Sequence, residues 1–249
     1  MKRASWTTQQ IRQHREAARQ LCEIKDETFK IMRKNPAISE HEVAGFILDE
    51  FKKRNLKTDP DIPIVAFREN TSFVHYFPKR GADKKLKPES LIMLDIWARV
   101  DEKGAPFADI TWMAWHGGDI PADIQKGFRA VITSRDNGLG YIEDVLKREF
   151  RVKNSKLARA MNGVVLSSGM QDFIPHGFGH SLGTTTCHGR RGRFLEGSKS
   201  FVQENIAYTI EPGIYVENKF GFRSEIDFYV DENNRLNITT EVQREIVRI

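Results

Sequence analysis

The 249-residue chain predicts an α+β domain with a largely antiparallel sheet. Three observations predict it. The first quarter carries two stretches of helical periodicity. The middle carries two β-branched and aromatic runs around a Gly-containing turn. The end is a series of apolar runs separated by short turns. One domain is ordinary for this length, and 39% hydrophobic residues supply a sizeable core.

Ser5 to Arg33 spaces Ile11, Ala18, Leu21, Cys22, Phe29 and Met32 roughly helically among Glu, Lys, Arg and Gln. Thr7 or Thr8 caps this helix, which stops before Asn35-Pro36. Ser39 followed by Glu42 is a capping box, so a second helix runs to about Asn55. Pro60 and Pro63 break the chain, and short strands are expected over Pro63 to Phe67 and Phe73 to Phe77. Leu91 to Val100 and Phe107 to Trp115 form a hairpin. Pro121 to Thr133, Tyr141 to Phe150 and Asn154 to Ser168 read as three helices. A loop-rich segment with His and Gly follows Gly169, and then strands over Ile206 to Val216, Phe222 to Val230 and Glu245 to Ile249. No repeat, low-complexity run or long linker divides the chain, so residues 1–249 read as one domain.

Composition narrows the function. Lys and Arg number 39 against 34 Asp and Glu, a formal charge of +5. The basic residues are interleaved with acids, as in Lys52, Lys53 and Arg54 beside Asp49 and Glu50, so no nucleic-acid partner is expected. Cys22 and Cys187 do not make a disulfide framework, which fits a reducing compartment. The basic N-terminus is followed by no apolar run, and no stretch approaches the ~20 apolar residues of a membrane span. A soluble, cytoplasmic protein is expected.

Two carboxylates sit where a core strand should be apolar. Asp95 interrupts LIMLDIW and Asp109 interrupts FADITW. Two such acids brought together by a hairpin need a cation between them, or one must be protonated. The plainer alternative is that each caps a turn or pairs with an Arg. Further on, IPHGFGHSLGTTTCHG places His176, His180 and His188 within thirteen positions, interleaved with glycines. A lone His is usually structural, but three so close suit a metal such as Zn, Mn, Fe or Co. GFGHSLG lacks the GK[ST] ending of a phosphate loop. Glu211 ends an apolar run just before Pro212-Gly213, and Glu225 lies in another. Strand alternation puts Arg223, Glu225 and Asp227 on one face, where an Arg–acid pair is the simpler reading.

Together LDIWARVDEKGAPFADITW, HGFGHSLG, IEPGIYV and GFRSEIDF resemble the pita-bread metallopeptidases, which include aminopeptidase P, prolidase and methionine aminopeptidase. The likeness covers nearly the whole chain. It implies a pita-bread (creatinase/aminopeptidase) fold, a mostly antiparallel curved sheet covered by helices. It implies two divalent metal ions, manganese first, with cobalt, iron or zinc as alternatives. Asp95 would be a terminal ligand, Asp109 and Glu225 would bridge, and His180 and Glu211 would complete the second ion's set. Glu211 would also be the general base, with His176 and His188 catalytic, and His75 and Arg223 binding substrate.

HGFGHSLG and GFRSE resemble aminopeptidase P and prolidase, which implies cleavage before proline in short peptides, as an Xaa-Pro aminopeptidase or dipeptidase. A methionine aminopeptidase and a non-catalytic peptide-binding protein of this fold are the alternatives. A homodimer is compatible with the resemblance. The chain departs from the usual pattern in DIWA, in Trp112, in a longer loop between Asp95 and Asp109, and in one extra residue before His188. About sixty residues precede the first strands, so no extra N-terminal domain is expected.

Three further features have two readings each. One of Arg190, Arg191 and Arg193 could hold a peptide carboxylate, or all could be solvated. Tyr76, Phe77 and Trp112 could wall a proline pocket or belong to the core. Cys187 beside His188 could be a thiol nucleophile, or structural; it reads as structural, because the expected ligands already supply an activated water.

Overall fold

The computed structural model describes residues 5–169 and 174–249. Two capped helices open it. α1 (Thr8–Lys34) starts at a Thr7–Gln10 capping box, and α2 (Glu40–Lys53) starts at the Ser39–Glu42 box. Basic residues in both last turns complement the helix dipole.

β1 (Leu56–Lys57) and β2 (Ile64–Phe67) pair along one edge of the long strand β3 (Ser90–Val100). β4 (Ala108–His116) pairs antiparallel along the other edge. Ile92, Leu94, Ile96 and Ala98 share a core with Leu21, Ile24, Phe29 and Ile47 of the helices. Met93, Trp97 and Met113 belong to a second core on the opposite face. The sheet is therefore covered on both sides, and LIMLDIW shows no polar alternation for that reason.

α3 (Ala122–Lys147) and α4 (Asn154–Ser167) pack into the second core. The remaining strands are β5 (His180–Leu182), β6 (His188–Arg193), β7 (Ala207–Ile210), β8 (Gly213–Val216), β9 (Phe220–Arg223), β10 (Ile226–Val230), β11 (Leu236–Ile238) and β12 (Val247–Arg248). Five of them form a second sheet in the order β11-β10-β7-β5-β6. β8 and β9 form a separate hairpin, and β12 lies parallel to β4. Among the described residues no helix is long and apolar enough to cross a membrane.

The structure corrects several sequence expectations. Phe73 to Phe77 is not a strand: a 3-10 turn over Arg68–Ser72 leads into turn and coil. The expected helices over Pro121 to Thr133 and Tyr141 to Phe150 are one continuous α3. Gly138, in the stretch between the two expected helices, serves helix contact: a Cβ there would lie 2.8 Å from Met161 Sδ of α4. Ile206 to Val216 is split at Glu211-Pro212, where proline has no N–H for a ladder, and Phe222 to Val230 is split at Ser224-Glu225. Both breaks leave a carboxylate at a strand end. Residues 170–173 of the expected loop after Gly169 lie outside the described residues.

Candidate active site

The site begins with the register of β3 and β4. Asp95 sits opposite Thr111, and Trp97 opposite Asp109. The two acids are therefore diagonal neighbours on one face of the hairpin. The second sheet is stitched onto that face. Asp109 N donates to Asp227 Oδ2 at 2.9 Å, and Glu225 N donates to the Thr111 carbonyl at 3.2 Å. His180 opens β5, where its N–H donates to Thr209 Oγ1 at 3.1 Å. The preceding Gly179 has φ +149, and a Cβ there would lie 2.3 Å from the Thr209 carbonyl, so only glycine lets the backbone approach this closely. Glu211 follows β7; its Oε1 accepts from Thr209 Oγ1 at 3.1 Å and lies 3.3 Å from His180 Nε2.

Asp109, His180 and Glu225 each offer a ligand atom within 4.8 Å of the other two. Glu211 joins this group through His180, and Asp95 flanks it in an ion pair with Arg223 Nη2. Arg223 Nε donates to Thr111 Oγ1 at 2.9 Å, and Thr111 Oγ1 donates to Glu225 Oε2 at 2.7 Å. Arg223 thus braces two of the five expected ligands, and its fork is engaged inside the protein as well as lining the cavities. Thr111 was not singled out from sequence. Its position two residues after Asp109 on the same strand face was the available signal.

Electrostatics single out this cluster. Burial raises the carboxyls of Asp109 and Glu225 far above the usual range, and neighbouring carboxylates raise them further. Burial also raises Asp95 against the pull of Arg223, and it lifts Glu211 to about 7. His180 is pushed down to about 3 by burial and then by His188, so its imidazole is neutral with a lone pair to give. Asp109 Oδ1 is buried and makes no hydrogen bond. Three buried carboxylates, the half-buried Glu211, one guanidinium and one neutral imidazole leave negative charge uncompensated. Oxygen donors with one nitrogen suit divalent Mn, Co, Fe or Zn, so the residues fit a metal centre.

These shifts set a pH dependence for the metal-free protein. Buried His14 and half-buried His176 sit at about 4 and His180 at about 3, below the free value of 6.5. Their unfolded forms bind more protons, so stability rises with pH up to roughly 6.5. The raised carboxyls act in the opposite sense: the folded state holds their protons, and stability is lost as pH rises through their folded values. Above about pH 6.5 only the carboxyls still titrate against folding. The chelated protein is expected to lose Tm between pH 6.5 and 8.5, and added metal to offset that loss increasingly with pH. Thermal scans with and without chelator measure both; parallel curves across this range would refute the assignment of uncompensated carboxylates to the metal centre.

Two cavities open on the cluster, of about 210 and 90 Å³. His75, His180, His188, Glu211 and Arg223 line both. His188 stands with its ring 4.2 Å from that of His180, and His75 is exposed at the mouth. His176 lines the larger cavity, where its Nε2 is 3.0 Å from the Tyr215 hydroxyl. Of the three arginines, Arg193 lines that cavity, opposite His180 in the strand register, while Arg190 and Arg191 face a separate one. Phe77 and Trp97 line the smaller cavity. Trp112 does not: it lies on the helix side of the sheet with Lys25 Nζ 3.7 Å from its ring centroid. Cys187 is buried, with Sγ 3.1 Å from Asp109 Oδ2. Asp59, also missed from sequence, accepts from Cys187 N at 2.9 Å and lines the smaller cavity.

Residues 12–232 match the profile of metallopeptidase family M24. The chain belongs to that family. The putative dipeptidase YkvY of Bacillus subtilis is 26% identical over 210 residues, 81% of this chain and 52% of the relative. This M24 chain therefore spans about half the length of that relative. Two solved structures share its fold. A dipeptidase from Pyrococcus horikoshii OT3 superposes with TM-score 0.83 at 23% identity, over 98% of this chain and 64% of that one. An X-Pro aminopeptidase from Thermotoga maritima MSB8 gives TM-score 0.81 at 22% identity, over 98% and 64%. The fold is the pita-bread fold, with its curved antiparallel sheets and covering helices.

Proposed function

We propose that this M24 chain hydrolyses the bond before proline in short peptides, as an Xaa-Pro aminopeptidase or dipeptidase. In this reading residues 1–249 are one catalytic domain. The observation that carries it is the group of buried Asp95, Asp109, His180 and Glu225 with half-buried Glu211, and an unpartnered Asp109 Oδ1, opening on cavities rimmed by His75 and His188. These five residues would hold two divalent ions.

When bound, such ions supply Lewis acidity to the scissile carbonyl and acidity to an attacking water. The chain's own residues do the rest. Glu211 Oε1 lies 3.3 Å from His180 Nε2 at the edge of the group, a position from which it can take the water's proton and hand it to the departing nitrogen. Desolvation by its neighbours and then Arg193 lower the His188 pKa, so the ring is neutral and can present one N–H toward the carbonyl oxygen. Arg223 and Thr111 keep Asp95 and Glu225 in place. Ile64, Phe77 and Trp97 give the smaller cavity an apolar wall. Proline offers a rigid ring and no amide N–H, so such a wall is what can select it.

Chelator-stripped protein given each of Mn, Co, Fe and Zn is expected to recover hydrolysis. Among peptides of two to five residues, kcat/KM for Xaa-Pro should exceed that for Xaa-Ala by roughly tenfold or more. Faster cleavage of Met-Ala than of every Xaa-Pro peptide would assign a methionine aminopeptidase. Metal-loaded protein that binds peptides and cleaves none would be a binding module.

A further inference from the structure

Glu40 is fully buried in the first turn of α2, far along the chain from every residue of the metal centre. Among the described residues its carboxylate pairs with no lysine or arginine side chain; it accepts from four residues instead. Oε1 accepts from Phe67 N at 2.6 Å, where β2 ends. Both oxygens accept from Asn70 Nδ2 at 3.0 Å, in the 3-10 turn. Oε2 accepts from Lys84 N at 2.8 Å and from the Tyr76 hydroxyl at 2.6 Å.

The segment 73–77 has neither helix nor strand. It nonetheless supplies Val74 and His75 to the larger cavity and His75 and Phe77 to the smaller one. Tyr76 points the other way, into the core, and ends on Glu40. A wall without ladder bonds needs another anchor, because an unanchored loop loses its geometry to conformational entropy. Asn70 strengthens the arrangement, since Phe73 N donates to its carbonyl at 3.2 Å while its side chain is held by Glu40.

We infer that Glu40 is a positioning residue for the substrate, acting through Tyr76 to fix the wall that carries His75. The inference rests on the peptidase reading for what His75 touches, while the anchoring itself is independent of it. Glu40 sets where His75 and Phe77 stand and leaves the metal ligands alone. It therefore governs peptide binding more than turnover.

The test is Tyr76→Phe, which deletes one hydroxyl and leaves the ring packed, with Glu40→Gln beside it. Tyr76→Phe is expected to raise KM for an Xaa-Pro dipeptide about tenfold, the factor one buried hydrogen bond carries. Its kcat should stay within about twofold and its metal content should be unchanged. Backbone amides of residues 73–77 should exchange hydrogen faster than in the wild type. Adding His75→Ala to Tyr76→Phe should cost less than the two single effects combined. Wild-type KM and exchange in Tyr76→Phe would overturn the inference, as would parallel loss of metal and kcat, which would mark a merely structural role. If the wild type cleaves no peptide, the peptidase reading fails. Hydrogen exchange and the Kd for the same dipeptide then decide the inference by the same criteria. If Glu40→Gln does not fold, Tyr76→Phe alone decides.

Discussion

Glu225→Gln is expected to empty the metal centre and abolish peptide hydrolysis while leaving the fold intact. Glutamine has the shape of the side chain it replaces and can still accept from Thr111 Oγ1, the contact now made by Glu225 Oε2. What it removes is charge. Glu225 is buried against Asp109, Glu211 and Asp95, and all three raise its carboxyl along with burial. In the metal-free protein that charge opposes folding, so its removal should leave Tm unchanged or raise it. With metal the sign reverses, because the ligand's charge is what the cation binds. Losing an outer partner of a metal ligand costs roughly 10–100-fold in affinity or activity, and losing the ligand itself should exceed that. Elemental analysis after dialysis, hydrolysis rates, and Tm with and without chelator check this. The wild type should lose Tm on chelation and the variant should not respond. Two ions retained with wild-type turnover would refute the ligand assignment.

The centre was legible from sequence because charge in an apolar strand is costly. Asp95 and Asp109 stood out for that reason, and a hairpin is able to bring two such residues side by side. The period of two does not give the register, which follows from how the 101–107 connection closes the hairpin. Hence the diagonal pairing, with Thr111 rather than Asp109 facing Asp95, came only from the structure. Alternation could have settled Trp112: it sits one residue from Thr111 and so must face the helices.

What stayed illegible was non-local. Nothing near Tyr76 announces a partner 36 positions earlier. β6 reads HGRRGR, half-exposed at a sheet edge, and carries no apolar signal for a strand. Phe73 to Phe77 has strand-like residues but no ladder, because β1 and β2 already occupy that edge of β3. In each case tertiary neighbours override local propensity.

His188→Ala is expected to keep its metal and lose most of its turnover. The side chain lies outside the group of Asp109, His180 and Glu225, and its ring nitrogens make no hydrogen bond among the described residues. It is therefore free to act on substrate, from a position packed against His180 and open to both cavities. Desolvation by its neighbours and then Arg193 lower its pKa, so at neutral pH the ring is uncharged and carries one N–H donor. A donor aimed where charge develops on a carbonyl oxygen contributes about 10²–10³ in rate. The loss should thus fall on kcat and on kcat/KM alike, since the charge exists only in the transition state. His188→Gln, which keeps an N–H on a shorter side chain, should recover part of it. Metal content must stay at the wild-type value in both variants, which separates this residue from the ligands. Wild-type kcat in His188→Ala would remove it from the chemistry. A raised KM at constant kcat would place it with His75 as a contact that binds substrate and transition state equally.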